Sequence, residues 1–153
     1  MKDPFYSKGL RFECQRCSRC CRQEPGFVYL SENDCRALSL SLGITQEDFI
    51  RSYCRTVQGA AGLLISLLEK DNYDCIFWES GGCAVYEHRP FQCRSYPFWE
   101  NYLASGEAWN SLEADCPGVN RGSLHTYEEI ENWRQMRRKE NYTKMVDMIR
   151  TVR

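Results

Sequence analysis

Four cysteines fall within eight residues, in the run Cys14-Gln15-Arg16-Cys17-Ser18-Arg19-Cys20-Cys21. Two residues between cysteines let both sulfurs reach one metal ion while the loop's backbone N–H groups point at the thiolates. Here the spacing repeats, so three sulfurs stand at i, i+3 and i+6 with a fourth next door. Adjacent Cα–Cβ directions diverge in most backbone conformations, so Cys20 and Cys21 are expected to serve different centres. A dispersed set follows: Cys75 after Asp71-Asn72-Tyr73-Asp74, Cys83 after Gly81-Gly82, Cys93 inside Arg89-Pro90-Phe91-Gln92-Cys93-Arg94, and Cys116 before Pro117-Gly118. Clustered and dispersed thiols together make eight, the number that two four-coordinate sites require. The chemistry is that of soft sulfur donors, hence zinc or an iron–sulfur cluster. Cysteines at this repeated spacing with a remote Cys-Pro resemble the bacterial ferredoxin arrangement, which tips the expectation narrowly to iron–sulfur. Turn-embedded cysteine pairs are equally good zinc ligands, so the metal stays open.

Thiolates gathered on one cation carry excess negative charge, which needs compensation where the site is partly buried. Arg11, Arg16, Arg19, Arg22, Arg89 and Arg94 all fall within four residues of a proposed ligand. Arg89 and Arg94 are the expected charge partners around the ligands, since a guanidinium can also donate to sulfur. Tyr96, with Tyr86, Phe98 and Trp99, is expected to wall the metal site from solvent. His88 lies five residues before Cys93 and could replace a sulfur, but with eight thiols at hand it reads as surface or supporting. Cys35 and Cys54 read as core: each joins apolar neighbours on a helical face, where a free cysteine behaves as a small apolar residue.

The elements that must position these residues are short. Ser31 is a plausible N-cap with Asp34 three residues on, and Gly43 stops the helix in a left-handed cap. A second helix begins at Thr45 and carries Phe49, Ile50, Tyr53, Cys54 and Val57 on one face until Gly59-Ala60-Ala61-Gly62 breaks it. Leu63 to Leu68 and Cys75 to Trp78 read as two strands joined through the turn at Asp71 to Asp74. The proline- and aromatic-rich stretch from Cys83 to Gly122 is expected to be irregular with short helical turns. Thr126, with Glu129 at N3, caps a last helix over residues 126–150, with Ile130, Trp133, Met145, Val146 and Ile149 available for packing.

The chain has 153 residues, 42% of them apolar and 27% charged, which suits one compact domain. Twenty basic against twenty-one acidic residues argue against nucleic acid as a partner. No apolar run is long enough for a transmembrane helix, so a membrane partner is not expected either. Ten cysteines behind an N-terminus without an apolar leader read as metal ligands in a reducing compartment rather than as disulfides. The expected location is cytoplasmic.

The run Cys14 to Cys21 resembles the signature of the YkgJ-type CxxCxxCC cysteine-cluster family, whose domain is described as chelating zinc or iron. The likeness continues through Cys75-Ile76-Phe77-Trp78, through Cys83-Ala84-Val85-Tyr86-Glu87-His88-Arg89-Pro90-Phe91-Gln92-Cys93-Arg94-Ser95-Tyr96-Pro97-Phe98, and through Cys116-Pro117-Gly118. It covers about residues 11–122. Ser18 departs from it, since relatives often carry glycine there. The resemblance implies metal binding, and some relatives are associated with flagellin lysine methylation. This chain shows no glycine-rich cofactor loop for that reaction.

The expected architecture is therefore α+β: a small single domain over residues 1–153, with a short β-hairpin and peripheral helices around an irregular, metal-organised, cysteine-rich centre. Its expected ligands are Cys14, Cys17, Cys20, Cys21, Cys75, Cys83, Cys93 and Cys116. Three functions stay open: a redox or sensing iron–sulfur protein, a structural zinc module for protein–protein contact, and a metal-dependent enzyme acting on a protein side chain. The first calls for a redox partner and the last for a protein substrate.

Overall fold

The computed structural model describes residues 2–22 and 24–142. Its elements are β1 (Leu10–Phe12), α1 (Glu32–Leu42), α2 (Gln46–Tyr53), β2 (Cys54–Gly59), β3 (Gly62–Leu67), β4 (Trp78–Glu79), β5 (Gly82–Cys83), α3 (Phe91–Ser95), α4 (Gly106–Ser111), β6 (Val119–His125) and α5 (Tyr127–Lys139). The class is α+β, and the pairings β1–β6, β2–β3 and β4–β5 are all antiparallel. Among the described residues no helix is long and apolar enough to cross a membrane. The chain packs as two compact units: a first of residues 2–19 and 95–139, and a second of residues 20–94 with 140–142.

In the second unit, α1 starts where its sequence says it should. The Ser31 hydroxyl accepts from Asp34 N–H and the Asp34 carboxylate accepts from Ser31 N–H, the reciprocal pair of a capping box. Gly43 ends the helix at φ 69°, a left-handed conformation that glycine adopts without penalty. Leu38 and Cys35 of α1, Phe49 and Ile50 of α2, Ile65 and Leu67 of β3, and Leu30, Phe77 and Val85 form the core. Cys75 and Cys83 pack against it, so two of the expected ligands are anchored by hydrophobic burial. The segment at Val28 to Leu30 runs along the free edge of β3, with Leu30 N–H donating to Ile65 and Leu67 N–H to Val28.

Two expectations fail here. The helix begun at Thr45 ends at Tyr53, and Cys54 to Gly59 is a strand paired with β3 from Cys54↔Leu67 to Gly59↔Gly62. Cys54 and Val57 are thus not on a helical face. The hairpin also has different partners from those expected: β3 pairs with β2, and only Trp78 of the Cys75 to Trp78 run enters a strand, opposite Cys83. A two-residue turn between flanking glycines closes antiparallel strands more readily than the longer excursion through Asp71 to Asp74.

The first unit is organised by β1 against β6, in the register Leu10↔His125 and Arg11↔Leu124. Its core comprises Tyr6, Phe98, Leu103, Trp109, Leu112, Val119 and Ile130, with Phe12, Cys116 and Trp133 packed beside them. Phe98 stacks on Trp109 at 5.7 Å. Thr126 and Glu129 form the expected reciprocal cap on α5, which carries Ile130 and Trp133 inward. Residues 143–150 of the expected last helix, with Met145, Val146 and Ile149, lie outside the described residues. His125 Nε2 pairs with the Phe12 carbonyl at 2.9 Å, which fixes the end of β6.

One polar network ties the N-terminal segment to α5. Arg134 grips Glu100 with Nε and Nη2 at 3.1 and 2.9 Å, and its Nη1 reaches Glu131 and the Tyr6 hydroxyl. The Arg134 hydrogen bond pulls the Glu100 carboxyl below its ordinary 4.5. Burial raises Glu131, but the hydrogen bonds from Tyr6 and Arg134 outweigh it and the carboxyl falls as well. Groups with lowered folded values contribute stability above their unfolded value and lose it as pH falls through the folded value. Replacing Arg134 by Met should therefore lower the melting temperature near neutral pH, by a free energy on the order of 1 kcal/mol after solvent screening. The gap from the parent should close as pH falls below 4.5, where both carboxyls protonate. Melting curves of both proteins across that range test it; a gap independent of pH contradicts it.

Candidate metal centre

The run Cys14 to Cys21 ends in a single turn of 3-10 helix at Arg19–Cys21. Before it, Arg16 and Ser18 both take positive φ, at 51° and 66°. Alternation of this kind aims backbone N–H groups inward as an anion-binding concavity. The Arg16 N–H indeed donates to Cys14 Sγ at 3.4 Å. Ser18 thus holds a left-handed backbone position that glycine would occupy without penalty.

The eight expected ligands fall into two groups. Cys20, Cys21, Cys75, Cys83 and Cys93 belong to the second unit, and Cys14, Cys17 and Cys116 to the first. In the second unit Cys20 and Cys21 do not diverge: their sulfurs stand 3.8 Å apart. Two sulfurs on one tetrahedral zinc, each at about 2.3 Å, are also separated by about 3.8 Å. Rotation about χ1 closes the gap that adjacent Cα–Cβ directions open. The Cys21 carbonyl accepts from Cys75 N–H at 2.7 Å, which brings a segment distant in sequence to the turn. Cys83 joins through β5, and Cys93 through α3.

Asp34 supports α3. Its carboxylate, almost fully buried, accepts from Ser31 N–H with one oxygen and from Phe91 N–H at 2.9 Å with the other. One side chain thus caps α1 and α3 together and sets the turn that carries Cys93. The capping box was legible in sequence; the bond to Phe91, far along the chain, was not.

Burial and neighbouring charge both act on the thiols of the second unit. Burial pushes Cys75, Cys83 and Cys93 up, and neighbouring sulfurs push each of them further. Cys20, accepting the proton of Cys21, is drawn down to about 7, while sharing that proton pushes Cys21 up. The pair titrates as a unit: its first proton leaves readily and its second does not. The charge of Arg89 favours the thiolate at Cys20, Cys83 and Cys93. Its guanidinium is fixed 3.9 Å over Tyr86, and its Nε donates to the Tyr86 carbonyl. Backbone N–H groups of Phe77 and Trp78 face the Cys75 sulfur, and that of Val85 faces Cys83. The Arg16 N–H donates to Cys14 Sγ from two residues ahead, and the N–H groups of Phe77 and Val85 stand in the same sequence relation to Cys75 and Cys83, whose thiolates they favour.

Other expected residues take different places. Arg94 is exposed, and its Nε donates to the Arg89 carbonyl, so its touch on the site passes through Arg89. Arg19 reaches the Ala114 carbonyl, and Arg11 that of Gly122. Tyr96 stands in the first unit among Phe12, Trp99 and Tyr102, and Phe98 lies in the same core cluster as Cys116. His88 is exposed. Cys35 is buried in the core and pushed up to about 12 by burial. Cys54, at the head of β2, is half-buried and raised by burial.

In the first unit, Glu13 N–H donates to the Gly118 carbonyl, so the residue before Cys14 meets the turn after Cys116. A side chain at Gly118 would run into the Glu13 carbonyl, which explains glycine there. This pairing, and Arg19 on the Ala114 carbonyl, join the Cys14 end of the cysteine run to the Cys116 turn.

Ten thiols are free. Among the described residues, no group of three or more His, Cys, Asp or Glu side chains is set to hold a metal ion; the Cys20 and Cys21 sulfurs are in contact, and Cys75 and Cys93 act on Cys21 electrostatically. The donor set nevertheless fits a soft or borderline ion, and the N–H groups facing sulfur fit thiolate ligation. Two buried donors beside these thiols, Arg22 Nε and Trp78 Nε1, have no hydrogen-bond partner.

Fold and site together define a small α+β protein built around a cysteine cluster suited to metal. The sequence comparison agrees: residues 13–117 match the CxxCxxCC family, described as "Putative zinc- or iron-chelating domain". The chain belongs to this family, and metal binding of the zinc or iron kind is the activity that the family supports. No solved structure matches the chain.

The strained loop gives a direct test. A non-glycine residue at φ 66° costs about 1–2 kcal/mol, against which glycine returns about 0.4–1 kcal/mol to the unfolded chain. Ser18→Gly should therefore leave stability unchanged or raise it by up to about 1 kcal/mol. Ser18→Val, β-branched at a left-handed position, should lower it. Denaturant midpoints of the purified proteins decide; a marked loss with glycine would show that the Ser18 side chain matters more than its backbone.

Proposed function

We propose that this protein is a cysteine-ligated iron–sulfur protein with a redox or sensing role, its centre held by the thiols of the second unit. The observation that carries this reading is the Cys20–Cys21 sulfur pair, 3.8 Å apart, with the Cys75 segment bonded to it through the Cys21 carbonyl at 2.7 Å; Cys83 and Cys93 act on the same sulfurs electrostatically. Cys14, Cys17 and Cys116 form the smaller group of proposed ligands. Trp78 Nε1, a buried donor without a hydrogen-bond partner, favours iron–sulfur over zinc, because inorganic sulfides add acceptors that a lone zinc lacks.

When bound, such a centre supplies one-electron chemistry. The chain's own residues do the rest. The thiolates hold the centre, and Arg89 offsets their charge. The backbone N–H groups of Phe77, Trp78 and Val85 favour the thiolate at Cys75 and Cys83. Ligation requires thiolates, so protons leave as the centre enters. Ten reduced thiols fit work in a reducing compartment such as the cytoplasm.

A structural zinc site is the second reading. The 3.8 Å between the Cys20 and Cys21 sulfurs, the spacing of two ligands on one tetrahedral zinc, favours it.

Anaerobic purification followed by iron, zinc and acid-labile sulfide analysis separates the two. Iron with sulfide and a visible thiolate-to-iron absorption is the expected result. Zinc without sulfide would replace the first reading by the second, and a chain with neither metal would end both. Serine at Cys21, Cys75, Cys83 or Cys93 should release metal, since a hydroxyl is a far poorer soft-metal ligand. Serine at Cys35 should keep the metal and cost about 1–3 kcal/mol for a hydroxyl in the core. Serine at Cys54 should keep it too.

A further inference from the structure

We propose that Arg22 is a positioning residue that fastens three cysteine-bearing segments into one cluster. The inference rests on the metal-binding reading for its purpose, though not for its geometry. Arg22 directly follows Cys21. Its Nε lies 3.6 Å from Asp74 Oδ1, and Asp74 directly precedes Cys75. Its guanidinium carbon sits 3.9 Å over the ring of Trp78, whose strand partner is Cys83. A single side chain therefore touches a residue beside, or paired with, each of two remote ligands while being covalently next to a third.

Charge explains why arginine is needed. The Asp74 side chain is only 3% exposed. A buried carboxylate is costly unless a cation and hydrogen bonds compensate it. Asn72 Nδ2 donates to one Asp74 oxygen at 3.1 Å, and Arg22 faces the other. The sequence placed Arg22 among the cations that offset thiolates; its charge instead answers Asp74. Shape explains why lysine would serve less well: the planar guanidinium lies flat on the indole, while an ammonium offers a point charge. Between Arg22 and Asp74 runs the Cys75 N–H to Cys21 carbonyl bond at 2.7 Å, so the ion pair and this bond close one small ring.

Lys70 holds the other end. Its Nζ donates to the Trp78 carbonyl at 2.5 Å, and its N–H to the Asp74 carbonyl at 2.8 Å. The Asp74 and Trp78 segments are thereby fixed to each other, and Arg22 fixes both to Cys21.

Amide hydrogen exchange on the purified full-length chain tests the proposal, with metal content measured on the same samples. The reporter is the Cys75 amide; the buried Leu38 amide in α1 reports on the fold. In Arg22→Met the Cys75 amide should exchange roughly tenfold faster, the loss of a half-buried cation–π contact and ion pair, while Leu38 is unchanged. Arg22→Lys should fall between Met and the parent. Adding Asp74→Asn to Arg22→Met should recover part of the protection, because the buried charge that Arg22 answers is removed. Metal transfer to a chelator should accelerate in the same order as Cys75 exchange. Parental Cys75 exchange in a folded Arg22→Met chain would overturn the proposal, as would loss of protection spread equally to Leu38 in both Arg22 variants. A parent that holds no metal, yet whose Cys75 protection depends on Arg22, would support the brace and defeat the metal reading.

Discussion

Thiolates resist sharing a site, and the second unit carries five thiols on segments that its hydrogen bonds draw together. Burial and the charge of neighbouring sulfurs disfavour ionisation of Cys21, Cys75, Cys83 and Cys93. Only Cys20, helped by the hydrogen bond from Cys21, moves the other way; a cation among them would favour the thiolate at every one. The remainder of that unit can be understood as the means of holding the group together before a cation does so. Hydrophobic burial anchors Cys75 and Cys83, the cap from Asp34 sets the turn of Cys93, and the Cys75 N–H takes hold of Cys21. Arg89 alone is too little to neutralise the group, but it lowers the cost of its charged state.

The parts of the fold written in local chemistry were legible in sequence. Ser31 with Asp34, Gly43, and Thr126 with Glu129 each state a helix end within a few residues, and each stands where expected. The error at Cys54 has a physical cause. Ile50, Tyr53, Cys54 and Val57 repeat at helical spacing, yet Cys54 to Gly59 can also pair with an apolar run two residues beyond it, and tertiary pairing outweighs propensity. The β1–β6 pairing joins Leu10 to His125, and no local signal marks partners so far apart.

The site divides in the same way. The cysteines declared themselves by type and spacing, while the left-handed backbone at Arg16 and Ser18 became visible only in the fold. What holds the ligands was hidden. Arg22 looked like one of several arginines near thiols, and only the fold shows it set between Asp74 and Trp78. Cys20 and Cys21 were expected apart because backbone direction was weighed and side-chain rotation was not. The family describes zinc or iron chelation over residues 13–117, the stretch that holds all ten cysteines.

X-ray absorption at the metal edge of the anaerobically purified protein probes the central claim most directly, because it reads the atoms bound to the metal. The account predicts a first shell of sulfur alone, at about 2.3 Å. A first shell dominated by nitrogen or oxygen would contradict it.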